Sequence, residues 1–244
     1  MIYGSFAQIY DKFIDMPYRA WADYVQAIWR RFDCDPQMVL DLACGTGGLT
    51  AVLAGHGYEM IGIDISSEML AIAQQKDAAS LYLQQDIREF ELYGTVDAIV
   101  CVCDGFNYLV DDGDLEQTLA LCANYLNPGG LLIFDINTEY KFSKILADNI
   151  FGATCEDAAY IWENFYDAEE KINEYAITCF VEESGAYRRF EELHTQRAYS
   201  REEILSALGV TGFGLLSEYE ELTFDAPGAD SQRVFYVARA KKNY

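Results

Sequence analysis

Val39-Leu-Asp-Leu-Ala-Cys-Gly-Thr-Gly-Gly-Leu-Thr50 is the stretch on which the fold turns. An apolar run, Met38–Leu42, breaks at Gly45, Gly47 and Gly48, and residues with helical spacing follow over Gly47–Ala54. Glycines at such a break let the backbone turn sharply and come close to a ligand. The same unit repeats downstream. Tyr58–Ile63 predicts a second strand and Ser66–Gln75 a second helix, with Ser66 as its N-cap and acids near its positive end. Ser80–Gln84 is a third strand. Val96–Val102 is a fourth, nearly all apolar, as a strand covered on both faces must be. Asp111–Tyr125 predicts a helix, Asn127-Pro-Gly-Gly130 ends it, and Leu131–Ile136 is a fifth strand. Strand–helix alternation of this kind specifies a parallel sheet with right-handed crossovers. Upstream, apolar residues at 21, 24, 25, 28, 29 and 32 predict a helix over Ala20–Phe32 that caps or crosses the sheet.

The pattern changes after Ile136. Tyr160–Tyr166, Ile172–Val181 and Tyr187–Arg197 alternate with a period of two, separated by turns at Asp167–Lys171 and Glu182–Gly185. That is an antiparallel meander. Ser200–Leu208 is a helix whose capping box pairs Ser200 with Glu203. Gly214–Phe224 and Val234–Ala240 are two last strands. The expected organisation is one α/β domain, residues 1–149 and 199–244, with residues 1–36 as a helical cap and residues 150–198 as a β insertion.

Acids stand at successive strand ends. Asp64 lies 19 residues after Gly45, where a carboxylate can accept hydrogen bonds from both hydroxyls of a ribose. Asp86 ends the third strand. Together with the glycine loop they outline a nucleoside crevice at the carboxyl edge of an open sheet. A pyrophosphate is a poor fit. Gly45-x-Gly47-x-x-Thr50 lacks the third glycine of the dinucleotide fingerprint, and Asp41, just before the turn, would repel phosphate and suit an ammonium group.

Asp41-Leu-Ala-Cys-Gly-Thr-Gly47 resembles the first motif of class I S-adenosylmethionine-dependent methyltransferases, and the resemblance runs the length of the chain. Asp64 matches the family's ribose acid and Asp86-Ile87 its adenine pair. Asp97–Asn107 matches the fourth-strand motif, and Leu126–Phe134 the turn into strand five. The resemblance implies a Rossmann-like, doubly wound, seven-stranded sheet, mostly parallel with its last strand antiparallel, and a β insertion after strand five. It implies S-adenosyl-L-methionine as cofactor, S-adenosyl-L-homocysteine as product, and no metal. It sets the cofactor against Asp41, Ala43, Gly45, Gly47, Asp64, Ile65, Met69, Asp86, Ile87, Cys103, Asp104 and Asn107. Tyr10, in a Tyr-Asp pair, would lie near the methyl group, and Arg19 would meet the cofactor carboxylate.

Methyl transfer is an in-line displacement, so the protein must align the partners, exclude water and, for a protonated acceptor, supply a base. Three segments are expected on the acceptor side. The first holds the aromatics Tyr3, Phe6, Tyr10, Tyr18 and Trp21. The second is Cys103–Tyr108, with Asp104, Asn107 and Tyr108. The third is the insertion, with His194 and Arg197 on opposite faces of its last strand. Tyr10 and His194 are the candidate catalytic groups, since imidazole accepts a proton near neutral pH. His56, at the opposite edge, is expected to be structural or solvated. The insertion resembles that of sugar-amine and glycine-type N-methyltransferases, and an uncharacterised bacterial methyltransferase group is a nearer likeness still. A small-molecule acceptor, methylated at N or O, is therefore expected. The alternatives are a tRNA or rRNA methyltransferase and a cofactor-binding protein without turnover.

Charge weighs against the RNA alternative. The 244 residues carry 40 acids and 17 lysines and arginines, a net −23. Gripping phosphates or an anionic membrane needs clustered cations instead. Residues 148–225 alone hold 18 acids and 5 bases, which leans toward neutral or cationic acceptors. Seven cysteines without a Cys-x-x-Cys pair, and an N-terminus with no secretory pattern, suggest reduced thiols in the cytoplasm; a monomer or homodimer is expected.

Overall fold

Eleven strands form two sheets in the computed structural model, which describes Phe13 and residues 17–241. The larger sheet contains β1 (Met38–Leu42), β2 (Glu59–Asp64), β3 (Leu81–Gln84), β4 (Val96–Cys101), β5 (Leu126–Asn137), β10 (Phe213–Glu220) and β11 (Arg233–Ala240). Their order is β10-β11-β5-β4-β1-β2-β3. β1 to β5 are parallel, and β11 inserts antiparallel between β5 and β10. This is the doubly wound sheet with an antiparallel last strand that the sequence implies. The strand order reverses beside β1, so the glycine loop leaves the sheet at its topological switch point, where a ligand crevice opens.

Strand alternation divides the core in two. Leu40, Leu42, Ile99 and Cys101 face α4 (Asp114–Tyr125) and α5 (Arg201–Val210). Val39, Ala98 and Val100 face α1 (Tyr18–Arg31) and α2 (Gly48–Gly55). α1 buries Trp21, Tyr24, Val25, Ile28 and Trp29 as one stripe, and Arg30 and Arg31 suit its negative end. Each such side chain, fully buried, contributes about 1.5–3 kcal/mol. α3 (Ser67–Lys76) is capped by the Ser66 hydroxyl, which accepts from the Met69 N–H. α5 carries the full Ser200–Glu203 capping box.

The second sheet orders β6 (Ile150–Thr154), β7 (Ala158–Asp167), β8 (Ile172–Glu183) and β9 (Ala186–Arg197) as an antiparallel meander. Its inner face packs Tyr175, Ile177 and Cys179 against Phe13, Tyr160, Trp162 and Phe190. β6 escaped the sequence pattern because it is short, contains Gly152 and exposes Ile150. The strand expected to reach Phe224 stops at Glu220, where the chain turns through Leu222 at φ 55°. Two short elements also went unread: a 3-10 turn at Gly105–Tyr108 and a π-helical turn at Lys141–Leu146. No helix among the described residues is long and apolar enough to cross a membrane.

Candidate active site

The carboxyl ends of β1 to β4, the start of α1 and the edge of β9 enclose a cavity of about 390 Å³. Of the twelve cofactor positions in described residues 39–107, nine line it: Asp41, Ala43, Gly45, Asp64, Ile65, Met69, Asp86, Ile87 and Cys103. The backbone after β1 reaches it through left-handed residues, with φ 55° at both Ala43 and Gly45. A Cβ at Gly45 would meet nothing within 4 Å, so the loop itself forms an open wall.

The carboxylates are held in distinct ways. Asp64, at the end of β2, accepts from the Gly45 N–H at 2.8 Å and the Ser66 N–H at 2.9 Å. It thus ties the glycine loop to the cap of α3. Burial still pushes its pKa up, against those backbone hydrogen bonds. Asp41 is 3% exposed and accepts from the Thr50 hydroxyl at 2.6 Å. Burial pushes its carboxyl up to about 7, the Thr50 hydrogen bond opposing and Asp64 adding. A buried acid so raised recovers its charge when a cation is set beside it. Asp86 is opposite in character. Arg88 grips it from Nε at 3.0 Å and from its terminal nitrogen at 2.6 Å, and these hydrogen bonds hold its pKa below the usual range. Arg88 also lines the cavity and reaches Asp114. The sequence signal for it was Asp86-Ile-Arg88, a local turn in which one side chain bonds the residue two positions on.

Gly47 and Gly48 serve packing. A Cβ on Gly47 would lie 2.7 Å from the Ala73 Cβ of α3. One on Gly48 would lie 2.3 Å from the Tyr18 ring, which sits across the start of α2 and lines the cavity. Gly47 itself does not line it. Tyr3, Phe6 and Tyr10 lie outside the described residues. Arg19 is exposed and away from the cavity, and Trp21 is buried under Arg233, whose guanidinium is 5.4 Å from its ring.

Beyond β4 the chain passes through two left-handed residues, Cys103 at φ 64° and Asp104 at φ 58°. Each costs about 1–2 kcal/mol unless something holds it. The Asp104 N–H donates to Asp135 at 3.0 Å, and its carboxylate accepts from Gln196 at 2.6 Å and Arg233 at 2.9 Å. Asp104 therefore anchors the turn and does not line the cavity. Behind it, Arg233 also pairs with the fully buried Asp135, whose carboxyl burial pushes up to about 6 while Arg233 pulls it back. Sequence reasoning missed this group, although single charges at 135 and 233 in apolar strands were its signal.

Asn107 is fully buried and bonds backbone only. Its amide donates to the Asn137 carbonyl at 3.1 Å and the Arg197 carbonyl at 2.8 Å, and its oxygen accepts from the Asn137 N–H at 2.9 Å. It clips the end of β5 to the end of β9. Arg197 faces an outer groove, paired with Asp112 and Glu203 and stacked on Tyr199. Tyr108, in contrast, lines the cavity beside Leu193 and Thr195 of β9. The Tyr108 hydroxyl meets the Tyr175 hydroxyl at 2.6 Å and His194 Nδ1 at 3.1 Å. His194 is itself buried and does not line the cavity. His56 is exposed and pairs with Gln26 at 2.9 Å.

Comparison with known proteins agrees with this geometry. A methyltransferase-domain family model matches residues 39–130, from β1 into the first part of β5. The Bacillus subtilis (strain 168) protein YqeM, described as a methyltransferase without a stated acceptor, is 38% identical, covering 99% of this chain and 98% of its own. A crystal structure of an S-adenosylmethionine-dependent methyltransferase from Clostridium acetobutylicum superposes with a TM-score of 0.89 at 32% identity, over 98% of this chain and 99% of that one. A dTDP-4-amino-2,3,4,6-tetradeoxy-D-glucose N,N-dimethyltransferase from Saccharopolyspora spinosa is 26% identical over 95% of this chain and 91% of its own. With a glycine loop, a buried acid at each of two strand ends and an antiparallel seventh strand, and with relatives matched end to end, this chain belongs to the S-adenosylmethionine-dependent methyltransferases.

Proposed function

We propose that the cavity binds S-adenosyl-L-methionine and that the enzyme methylates a small-molecule acceptor, releasing S-adenosyl-L-homocysteine. The observation that carries the reading is the ring of Asp41, Asp64 and Asp86 at the ends of three neighbouring strands around one cavity. The residues fit the cofactor. Asp41, buried and raised, would hold the ammonium group, and Asp64 the ribose hydroxyls. Asp86 and the Ile87 backbone would meet the adenine edge, with the exposed Ile65 against its face. Ala43 and Gly45 would pass the methionine portion, and Met69 and Cys103 complete the wall. When bound, the cofactor supplies an electrophilic methyl group on a sulfonium. The chain's part is to orient the acceptor and keep water out.

The acceptor side of the same cavity is formed by Tyr18, Tyr108, Val110, Leu193 and Thr195, a mixed wall scaled to a small molecule. Several relatives act on small amines by name, among them the Saccharopolyspora dimethyltransferase and a glycine/sarcosine N-methyltransferase from Halorhodospira halochloris. The charge of −23, densest in the insertion, supports a neutral or cationic acceptor over RNA. Free thiols throughout suit a reducing cytoplasm.

The test has two stages. Calorimetric titration should show one cofactor site per chain, with product bound as well. A scan of small amines and hydroxylated metabolites with methyl-labelled cofactor should then find transfer. Good cofactor binding with no transfer to any small molecule, alongside salt-sensitive RNA binding, would count decisively against a small acceptor.

A further inference from the structure

Asp41 sits in a row of residues that crosses three strands. It is in register with Gly62 of β2, and Gly62 is in register with Tyr82 of β3. Residues in register share a face of the sheet. Gly62 leaves its place on that face to its neighbours: a Cβ there would lie 2.7 Å from the Tyr82 ring and 2.9 Å from the Cys44 sulfur. A glycine inside a strand weakens it, and this one marks a close approach. The Tyr82 ring lies across it, and the hydroxyl reaches the start of α2, 3.0 Å from where a Cβ on Gly47 would stand. There the buried hydroxyl is beside the Thr50 side chain, short of a full hydrogen bond to it. Tyr82 thus walls off Thr50 on the side away from the cavity.

Thr50 is fully buried in the first turn of α2 and does not line the cavity. A threonine in a helix commonly turns its hydroxyl back to a carbonyl of the preceding turn. The Thr50 hydroxyl instead donates to Asp41 Oδ2 at 2.6 Å, the length of an O–H bond to an ionised carboxylate. A hydroxyl has one proton to give, so this bond spends it on the charged form of Asp41. The titratable groups facing Asp41 among the described residues are Asp64 on β2, Cys44 in the glycine loop, Cys101 and Cys103 at the end of β4, and Tyr82. Asp64 opposes a second charge, and burial pushes the three thiols and the phenol up, so they stay neutral. Thr50 works against burial and Asp64 together.

Resting on the ammonium role proposed for Asp41, we infer that Thr50 is a positioning residue for the cofactor, its hydroxyl keeping the Asp41 carboxylate charged for the incoming ammonium. The glycine loop and the first turn of α2 then act as one unit: the loop shapes the wall, and the helix behind it holds the charge. Without the hydroxyl, burial keeps the acid protonated at neutral pH, and the amino-acid end of the ligand loses its counter-charge. The adenine and ribose contacts, made by other strands, do not depend on it.

The test is calorimetry on the full chain across pH with two ligands. S-adenosyl-L-homocysteine carries the ammonium; 5′-methylthioadenosine has the adenine and ribose without the amino acid. Thr50→Val keeps the side-chain shape and removes the donor. It should displace the rise in S-adenosyl-L-homocysteine affinity upward by about one pH unit, so that binding is about fivefold weaker at pH 7 and within about twofold of wild type by pH 9. Affinity for 5′-methylthioadenosine should stay within about twofold throughout, and Thr50→Ser should restore the wild-type profile. Thr50→Ala, which asks less of the helix, carries the same expectation as Thr50→Val. An equal loss at every pH, an equal loss for both ligands, or a Thr50→Ser as weak as Thr50→Val overturns the inference and leaves the role of Asp41 standing. A flat wild-type profile removes the ammonium from Asp41 and the inference with it, and S-adenosyl-L-homocysteine that fails to bind refutes the cofactor site itself.

Discussion

The glycine loop after β1 and the strand β9 both border the cavity, yet they are built on different logic. In the loop the backbone does the work: Gly45 turns left-handed, its N–H reaches Asp64, and Gly48 makes room for Tyr18. In β9 the side chains do it. Glu192, His194 and Gln196 are buried on one face while Leu193, 75% exposed, lines the cavity edge from the other. A site made by backbone tolerates few sequences. A site made by alternation tolerates many, so long as the face is kept. The loop should therefore govern cofactor affinity, and the insertion acceptor choice and chemistry.

The largest effect expected on this division comes from Asp64→Ala. It removes the proposed ribose acceptor and frees the Gly45 and Ser66 N–H groups, so cofactor affinity in calorimetry should fall about 100-fold or more. An equal loss from Leu193→Ala would erase the distinction between the two regions. Next is Asn107→Ala, which strands buried backbone groups of both sheets. A loss of about 2–3 kcal/mol and a melting point lower by several degrees are expected, with cofactor affinity nearly unchanged. A change confined to cofactor affinity would mean that Asn107 belongs to the binding site after all.

Asp41 folds with its pKa near 7, above its ordinary 3.8. The folded state thus holds that proton more tightly, and the stability it gives is full below 3.8 and lost as pH rises through 7. A bound ammonium reverses the preference. Cofactor affinity should tighten about 10-fold between pH 6 and pH 8, then level off, and Asp41→Asn should bind weakly with a flat profile. A flat wild-type profile would place the ammonium elsewhere. The smallest effect is steric. Gly48→Ala presses a methyl into the Tyr18 ring and should weaken the cofactor about fivefold, with most of the loss recovered by adding Tyr18→Ala. Additive losses in the double variant would separate the two residues.

The large sheet was legible from its sequence because each strand announces itself by burial and each loop by glycine, proline or an acid. The acids Asp41, Asp64 and Asp86 could be placed because strand ends fix them along the chain. The groups between sheets could not. Asp104 reads as a cofactor or acceptor contact, yet its carboxylate is spent on Gln196 and Arg233, 92 and 129 residues away. Asn107 reads as a ligand contact, yet its amide serves backbone of β5 and β9. Leu193 lines the cavity because β9 is the edge strand of the small sheet. Such partnerships depend on how the insertion seats on the sheet, and no local spacing encodes that.

The Asn107 clip has a mechanical consequence. One buried amide joins the last residue of a strand in each sheet, with two hydrogen bonds to Asn137 and one to the Arg197 carbonyl, so tilting the small sheet at that end strips a buried group of its partner. The junction is a weld where many enzymes keep a hinge. With that junction held, turnover should be insensitive to solvent viscosity if chemistry, not a rocking of sheets, sets its pace.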